Sequence, residues 1–164
     1  MIVSLVTSMD KNQAIIDFIT TCPAIQGSAL YFNFIKIKDG NSQIVTRTND
    51  RYASRTYIDG TVLRRYAFTF IMFKSVSENA VVDGYDTENV IDMADVQAVI
   101  DWIGEQDELK NYPDFGESYI IDSMTTDSDN PKFEGVNHSL NPPLAMYSVT
   151  IEISYLDVSK KLWR

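Results

Sequence analysis

The 164-residue chain has a single cysteine, Cys22, and a single histidine, His138. One cysteine excludes an internal disulfide and any cysteine-based zinc cluster. Cys22 stands before a proline with no basic cluster nearby in sequence, which reads as a buried, inert thiol. His138 lies in a polar stretch and reads as solvated, so no base is at hand for a nucleophilic triad. The seven glycines are scattered and form neither a Walker-type loop nor a G-x-G-x-x-G fingerprint, so no phosphate cradle is expected. No apolar run approaches the roughly 18 residues of a membrane span. The opening Met1-Ile-Val-Ser-Leu-Val-Thr-Ser-Met9 has no basic stretch before it and is cut short by Asp10 and Lys11. It does not read as a secretory signal, and a soluble protein made in a reducing cytosol is expected. Basic charge is scarce: 14 Lys and Arg stand against 23 Asp and Glu, a net charge of −9. Such a chain is poorly suited to wrapping nucleic acid, which needs basic surface to displace counterions.

What is present is an ordinary globular composition, 45% hydrophobic and 23% charged, at a length that fits one domain over residues 1–164. Charge is unevenly distributed. Residues 36–74 carry eight basic side chains against three acids, whereas residues 78–134 carry sixteen acids against two lysines. Two readings fit this asymmetry: separate solvated faces on a monomer, or a head-to-tail contact between copies of the kind that closes rings.

Apolar spacing at Ile2, Leu5, Val6 and Met9, extended by Ile15, Phe18 and Ile19, predicts a first helix that stops before Cys22-Pro23. Residues 30–38 read as a strand. Asp59-Gly60 between two β-rich runs predicts a hairpin with a two-residue turn, in which Ile58 faces Thr61, Tyr57 faces Val62 and Arg55 faces Arg64. Its tip is charged and its base apolar, with Tyr66, Phe68, Phe70 and Met72 on one face. The tip is therefore expected to project as an arm. A second helix is predicted over about 88–109, with Val96, Val99, Ile100 and Ile103 as its apolar stripe, Trp102 at the margin and Asp92 as a cap. Residues 117–125 read as a strand, and residues 126–143 as a long polar loop. Strict alternation from Tyr147 to Tyr155 predicts a half-buried final strand. The expected fold is α+β, a largely antiparallel sheet with a long β-hairpin and two helices packed on one face.

Chemistry is sparse. Asp127-Ser-Asp129-Asn-Pro131 hints at a calcium loop, but Pro131 and Lys132 fall where a ligand and a glycine are needed. Asn137-His-Ser139 matches a glycosylation acceptor by chance in a chain without a secretory signal. No catalytic, cofactor or metal residues are identified, and no enzyme is expected.

Several short motifs nevertheless occur in a distinctive order. Thr21-Cys-Pro23 closes the first helix; Tyr57-Ile-Asp-Gly60 leads into Arg65-Tyr-Ala-Phe68-Thr-Phe70; Glu88-Asn-Val90 precedes Asp101-Trp102-Ile103-Gly-Glu-Gln106. Tyr112-Pro113-Asp-Phe115 and the strand Tyr147–Tyr155 follow. Over nearly its whole length the chain resembles the small minor capsid proteins of tailed phages and prophages of Gram-positive bacteria, which are similar in architecture to tail terminators. It departs from that pattern in a longer 126–143 loop and in extra apolar residues before Asp10.

The resemblance implies a structural virion protein at the head–tail junction, assembled in the host cytoplasm. Such a protein forms a ring, usually a hexamer, that caps the head-proximal end of the tail tube, stops its polymerisation and joins the tail to the neck. Its partners would be itself, the tube protein and a neck or head-completion protein, with no membrane and no cofactor. Viral DNA would pass through the lumen without specific binding, repelled by acidic walls. The alternatives are a head-completion or stopper protein of the neck, and a small acidic binding or inhibitor protein that mimics nucleic acid. The contact residues expected on this reading are Arg47, Arg51, Arg55, Asp59, Gly60, Arg64 and Arg65, facing acids such as Asp83 and Asp86 on an adjacent copy. The 126–143 loop is expected to order on assembly.

Overall fold

Alternation along one strand builds the centre of the fold. Tyr66, Phe68, Phe70 and Met72 bury one side of β4 (Val62–Ser75), and Tyr147, Val149, Ile151, Ile153 and Tyr155 bury the same side of β9 (Leu144–Asp157). The two pair antiparallel over all fourteen residues, from Val62 against Asp157 to Ser75 against Leu144. Matched phase places Phe68 beside Ile151 and Phe70 beside Val149, so the register is fixed by the apolar face. Truncating either phenylalanine to alanine would cost about 3–5 kcal/mol.

The computed structural model describes residues 10–34, 36–46, 55–76, 81–82 and 85–162, with backbone alone at 81–82, 85–89 and 91–92. The remaining elements are α1 (Lys11–Ile19), a 3-10 turn (Pro23–Ile25), β1 (Leu30–Phe32), β2 (Ser42–Thr46), β3 (Arg55–Thr56), β5 (Val81–Val82), β6 (Tyr85–Asp86), α2 (Thr87–Glu108), β7 (Tyr119–Thr126) and β8 (Lys132–Asn137). The main sheet runs β1-β2-β4-β9-β7, with β3 added beside β4 and β8 beside β9. Every pairing is antiparallel except β1 with β2. The fold is α+β, as the sequence predicts. Both helices cover the apolar face: Ile15, Phe18 and Ile19 of α1 and Val96, Val99, Ile100 and Ile103 of α2 join the core, and Phe18 meets Trp102 at 4.9 Å between ring centres. On the opposite face Thr69 lies against Thr150 and Arg65 reaches Glu152, with no helix over them among the described residues.

Four local expectations are corrected. The first helix starts at Lys11, because Asp10 adopts non-helical angles and its carboxylate caps the Asn12 N–H at 3.1 Å. The apolar spacing from Ile2 to Met9 lies outside the described residues. The strand expected over 30–38 ends at Phe32, where Asn33 turns to a φ of +51°. Helix α2 begins at Thr87, so Asp92 lies inside it rather than at its cap. The 126–143 segment is not a plain loop: it contains β8, paired to β9 from Lys132–Ser148 to Asn137–Leu144.

The edge at β7 is partly closed by side chains. The Asp107 carboxylate on α2 accepts the Met124 N–H at 2.8 Å, and the Tyr112 hydroxyl donates to the same carboxylate and lies 3.2 Å from the Asp122 carbonyl. Occupied edge groups cannot template another strand.

Candidate interaction site

At one end of β4 the chain turns through Ile58, Asp59 and Gly60. The turn holds three residues rather than two. The Gly60 N–H donates to the Tyr57 carbonyl at 3.0 Å, and the Tyr57 N–H to the Thr61 carbonyl at 2.8 Å. Gly60 has a φ of +84°, as the closing residue of such a loop requires. The change shifts the register by one: Arg55 lies opposite Leu63, not Arg64. The expected like-charge pair is therefore absent, and Arg64 bonds Asp157 of β9 at 3.0 Å.

Nor is the tip a free arm. Its flank is held by the residues after β9: the Leu162 N–H donates to the Asp59 carbonyl at 2.7 Å, and Lys161 approaches the Asp59 carboxylate at 3.8 Å. The Thr61 N–H, bonded to that carboxylate at 3.0 Å, is the main influence holding Asp59 below the ordinary carboxylate range. Between tip and sheet lies an apolar groove of about 560 Å³, lined chiefly by Tyr57, Ile58, Ile120, Leu156 and Val158, with Asp59 and Lys161 at its rim. Ile58 is 95% exposed and Ile120 54%.

A second groove, of about 610 Å³, runs between the 3-10 turn and α2. Pro23, Ala24, Ala98 and Trp102 line it, and Asp101 and Glu105 stand beside them. A third surface is the segment after β1, where Phe34 is 67% and Ile37 43% exposed next to Lys36 and Lys38.

The residues singled out from sequence divide among these surfaces. Asp59 and Gly60 form the tip, with Arg55 exposed beside it. Arg64 and Arg65 pair with Asp157 and Glu152 of the same chain, at 3.0 and 3.5 Å. Arg47, Arg51 and Asp83 lie outside the described residues, and Asp86 is placed only by its backbone, in β6 opposite Val81. Sequence reading missed Ile120, Leu156, Val158 and the Pro23–Trp102 groove. One signal was present: three successive apolar residues, Tyr119-Ile-Ile121, in a strand with one covered face must leave one on the other side.

Cys22 is fully buried, and burial raises its thiol pKa against the opposing effect of the Ala24 and Ile25 N–H groups. His138 is exposed in the turn after β8. Asp127 accepts the Thr150 N–H at 2.9 Å, so it braces β9. Among the described residues no three His, Cys, Asp or Glu side chains are grouped to hold a metal ion, and no helix is long and apolar enough to cross a membrane. No family model and no curated protein sequence matches this chain.

Proposed function

We propose that the protein is a structural component of a phage virion: a ring that caps the head-proximal end of the tail tube, ends its polymerisation and joins it to the neck. The observation that carries this reading is Ile58. A large aliphatic side chain that is 95% exposed on a turn held by its own hydrogen bonds and by the residues after β9 suits an apolar anchor for a partner. It stands above a groove at the end of a strand pair about 45 Å long, and it falls within the Tyr57-Ile-Asp-Gly60 motif on which the phage resemblance rests. On this reading the tip groove faces the tube, the opposite end of the sheet faces the neck, and DNA passes through the lumen unread.

The test is tube assembly. The tube protein of the same phage, polymerised with and without this chain, should give shorter tubes bearing the protein at one end in electron micrographs. Tubes of unchanged length with undecorated ends would overturn the reading. Deleting the gene separates a terminator from a neck stopper. Tubes of uncontrolled length are expected; tails of normal length beside heads that lose DNA would assign the stopper role instead.

A further inference from the structure

The segment after β1 and the groove on α2 are complementary, and we infer that they meet between two copies of the chain. The inference rests on the ring reading above and names the surfaces that would close the ring. On one side, Phe34 and Ile37 are exposed apolar residues flanking Lys36. Most other lysines and arginines with described side chains have partners, among them Arg64, Arg65, Lys74, Lys132 and Lys161 in ion pairs and Lys11 over the Tyr119 ring at 3.9 Å. Lys36 and Lys38 make no ion pair with any described residue. Their backbone is already held in place: the buried Asn41 donates its side-chain N–H to the Lys36 carbonyl at 2.8 Å and its backbone N–H to the Lys38 carbonyl at 3.0 Å. The Asp39 carboxylate takes the Ser75 N–H at 2.7 Å. Backbone held at Lys36 and Lys38 before contact loses little entropy there on docking.

On the other side, Ala24 and Ala98 leave a hollow floored by Trp102, whose ring is set by Phe18. Asp101 and Glu105 project one helical turn apart beside it, and only Asp101 has a side-chain partner, the Gln97 amide at 2.9 Å. Two carboxylates at that spacing repel each other mildly, and two cations would relieve the repulsion. Apolar meets apolar while lysines meet acids. Because the two surfaces are different, each copy offers one to either neighbour, which is the head-to-tail arrangement a ring requires.

Cysteine cross-linking tests this. Ile37→Cys and Ala98→Cys, both at exposed positions, are made singly and together, with Cys22 buried and out of reach. On mild oxidation the mixture of single variants should give a 37–98 dimer, and the double variant a ladder ending in a closed species. Lys36→Glu with Lys38→Glu should cut the yield about tenfold at low salt, and combining that chain with Asp101→Lys, Glu105→Lys should restore it. Cross-links only between like positions, or none at any protein concentration or on capped tubes, would overturn the contact. Capping without the 37–98 link leaves the ring closed through other surfaces. The link without capping keeps the contact and removes the tube-terminator reading.

Discussion

Gly60 is constrained twice over. Its φ of +84° disfavours any side chain, and a Cβ there would come within 2.4 Å of the Lys160 carbonyl oxygen. The backbone angle alone costs a substituted residue about 1–2 kcal/mol, and displacing Lys160 would loosen the Leu162–Asp59 bond that clasps the tip. Gly60→Val should therefore lower the melting temperature by at least about 2 °C in a chain of this size, and calorimetry showing no change would mean that the turn has another shape. Acid sensitivity centres on a different residue. Burial raises the Asp157 carboxyl pKa, but the Ser159 hydroxyl and N–H and the Arg64 guanidinium outweigh it and hold the group below its ordinary value. The Thr61 N–H lowers Asp59 in the same sense, and the Ser148 hydroxyl lowers Glu134. The unfolded chain thus takes up protons before the folded one. Their stabilisation is complete above the ordinary carboxylate value of about 4 and is lost as pH falls through the lower folded values. Urea midpoints measured from pH 6 to 2.5 should fall, and Asp157→Asn should lower stability at pH 6 while flattening that decline. An equally steep decline in the variant would assign the acid sensitivity to other groups.

At the scale of elements, β8 replaces what reads in sequence as a mobile loop. It pairs with β9 within the single chain, so the amides of residues 132–137 that face β9 should be protected from hydrogen exchange in the isolated protein. Residues 138–141, in the following turn, should exchange fast, and equal rapid exchange across both stretches would contradict the pairing. Why this strand was hidden is instructive. Gly135 and the shift of register between Phe133 and Gly135 break its alternation, and as an outer strand it has one neighbour to satisfy. Strands β4 and β9 were legible because each carries a stretch of apolar residues at every second position, Tyr66 to Met72 and Tyr147 to Tyr155, and α2 because Val96, Val99, Ile100 and Ile103 hold a helical stripe. The hairpin was legible in place but not in register, since Asp-Gly suits a two-residue turn and also the end of a three-residue loop. That single residue decides whether Arg64 faces Arg55 or, as here, joins Asp157. The grooves were the least legible part, for they join residues such as Ala24 with Ala98, or Ile58 with Ile120, that no local pattern relates.

For the whole molecule, the two classes of contact proposed above lie on different parts of the chain and should be separable by mutation. The tip groove draws on the turn, β7 and the end of β9, whereas the 34–38 segment and the α2 groove share none of those residues. Ile58 touches little of its own chain, so Ile58→Asp should change folding stability by no more than about 0.5 kcal/mol. It places a charge where an apolar anchor would be desolvated against the tube, and should abolish tube capping while leaving the 37–98 cross-link intact. The Lys36→Glu, Lys38→Glu chain should behave in the opposite way, still meeting a tube end as single subunits but failing to link to its neighbours. Salt supplies an independent control. Exposed ion pairs contribute about 0–1 kcal/mol each and are screened over a Debye length of about 10 Å at 0.1 M. Raising sodium chloride from about 0.05 to 0.5 M should therefore weaken the cross-link between copies, whereas the contact made by Ile58 is apolar and should hold. If Ile58→Asp capped tubes as well as the native chain does, the exposed isoleucine would have no part in tube binding, and the tip would be a surface feature of the sheet's end.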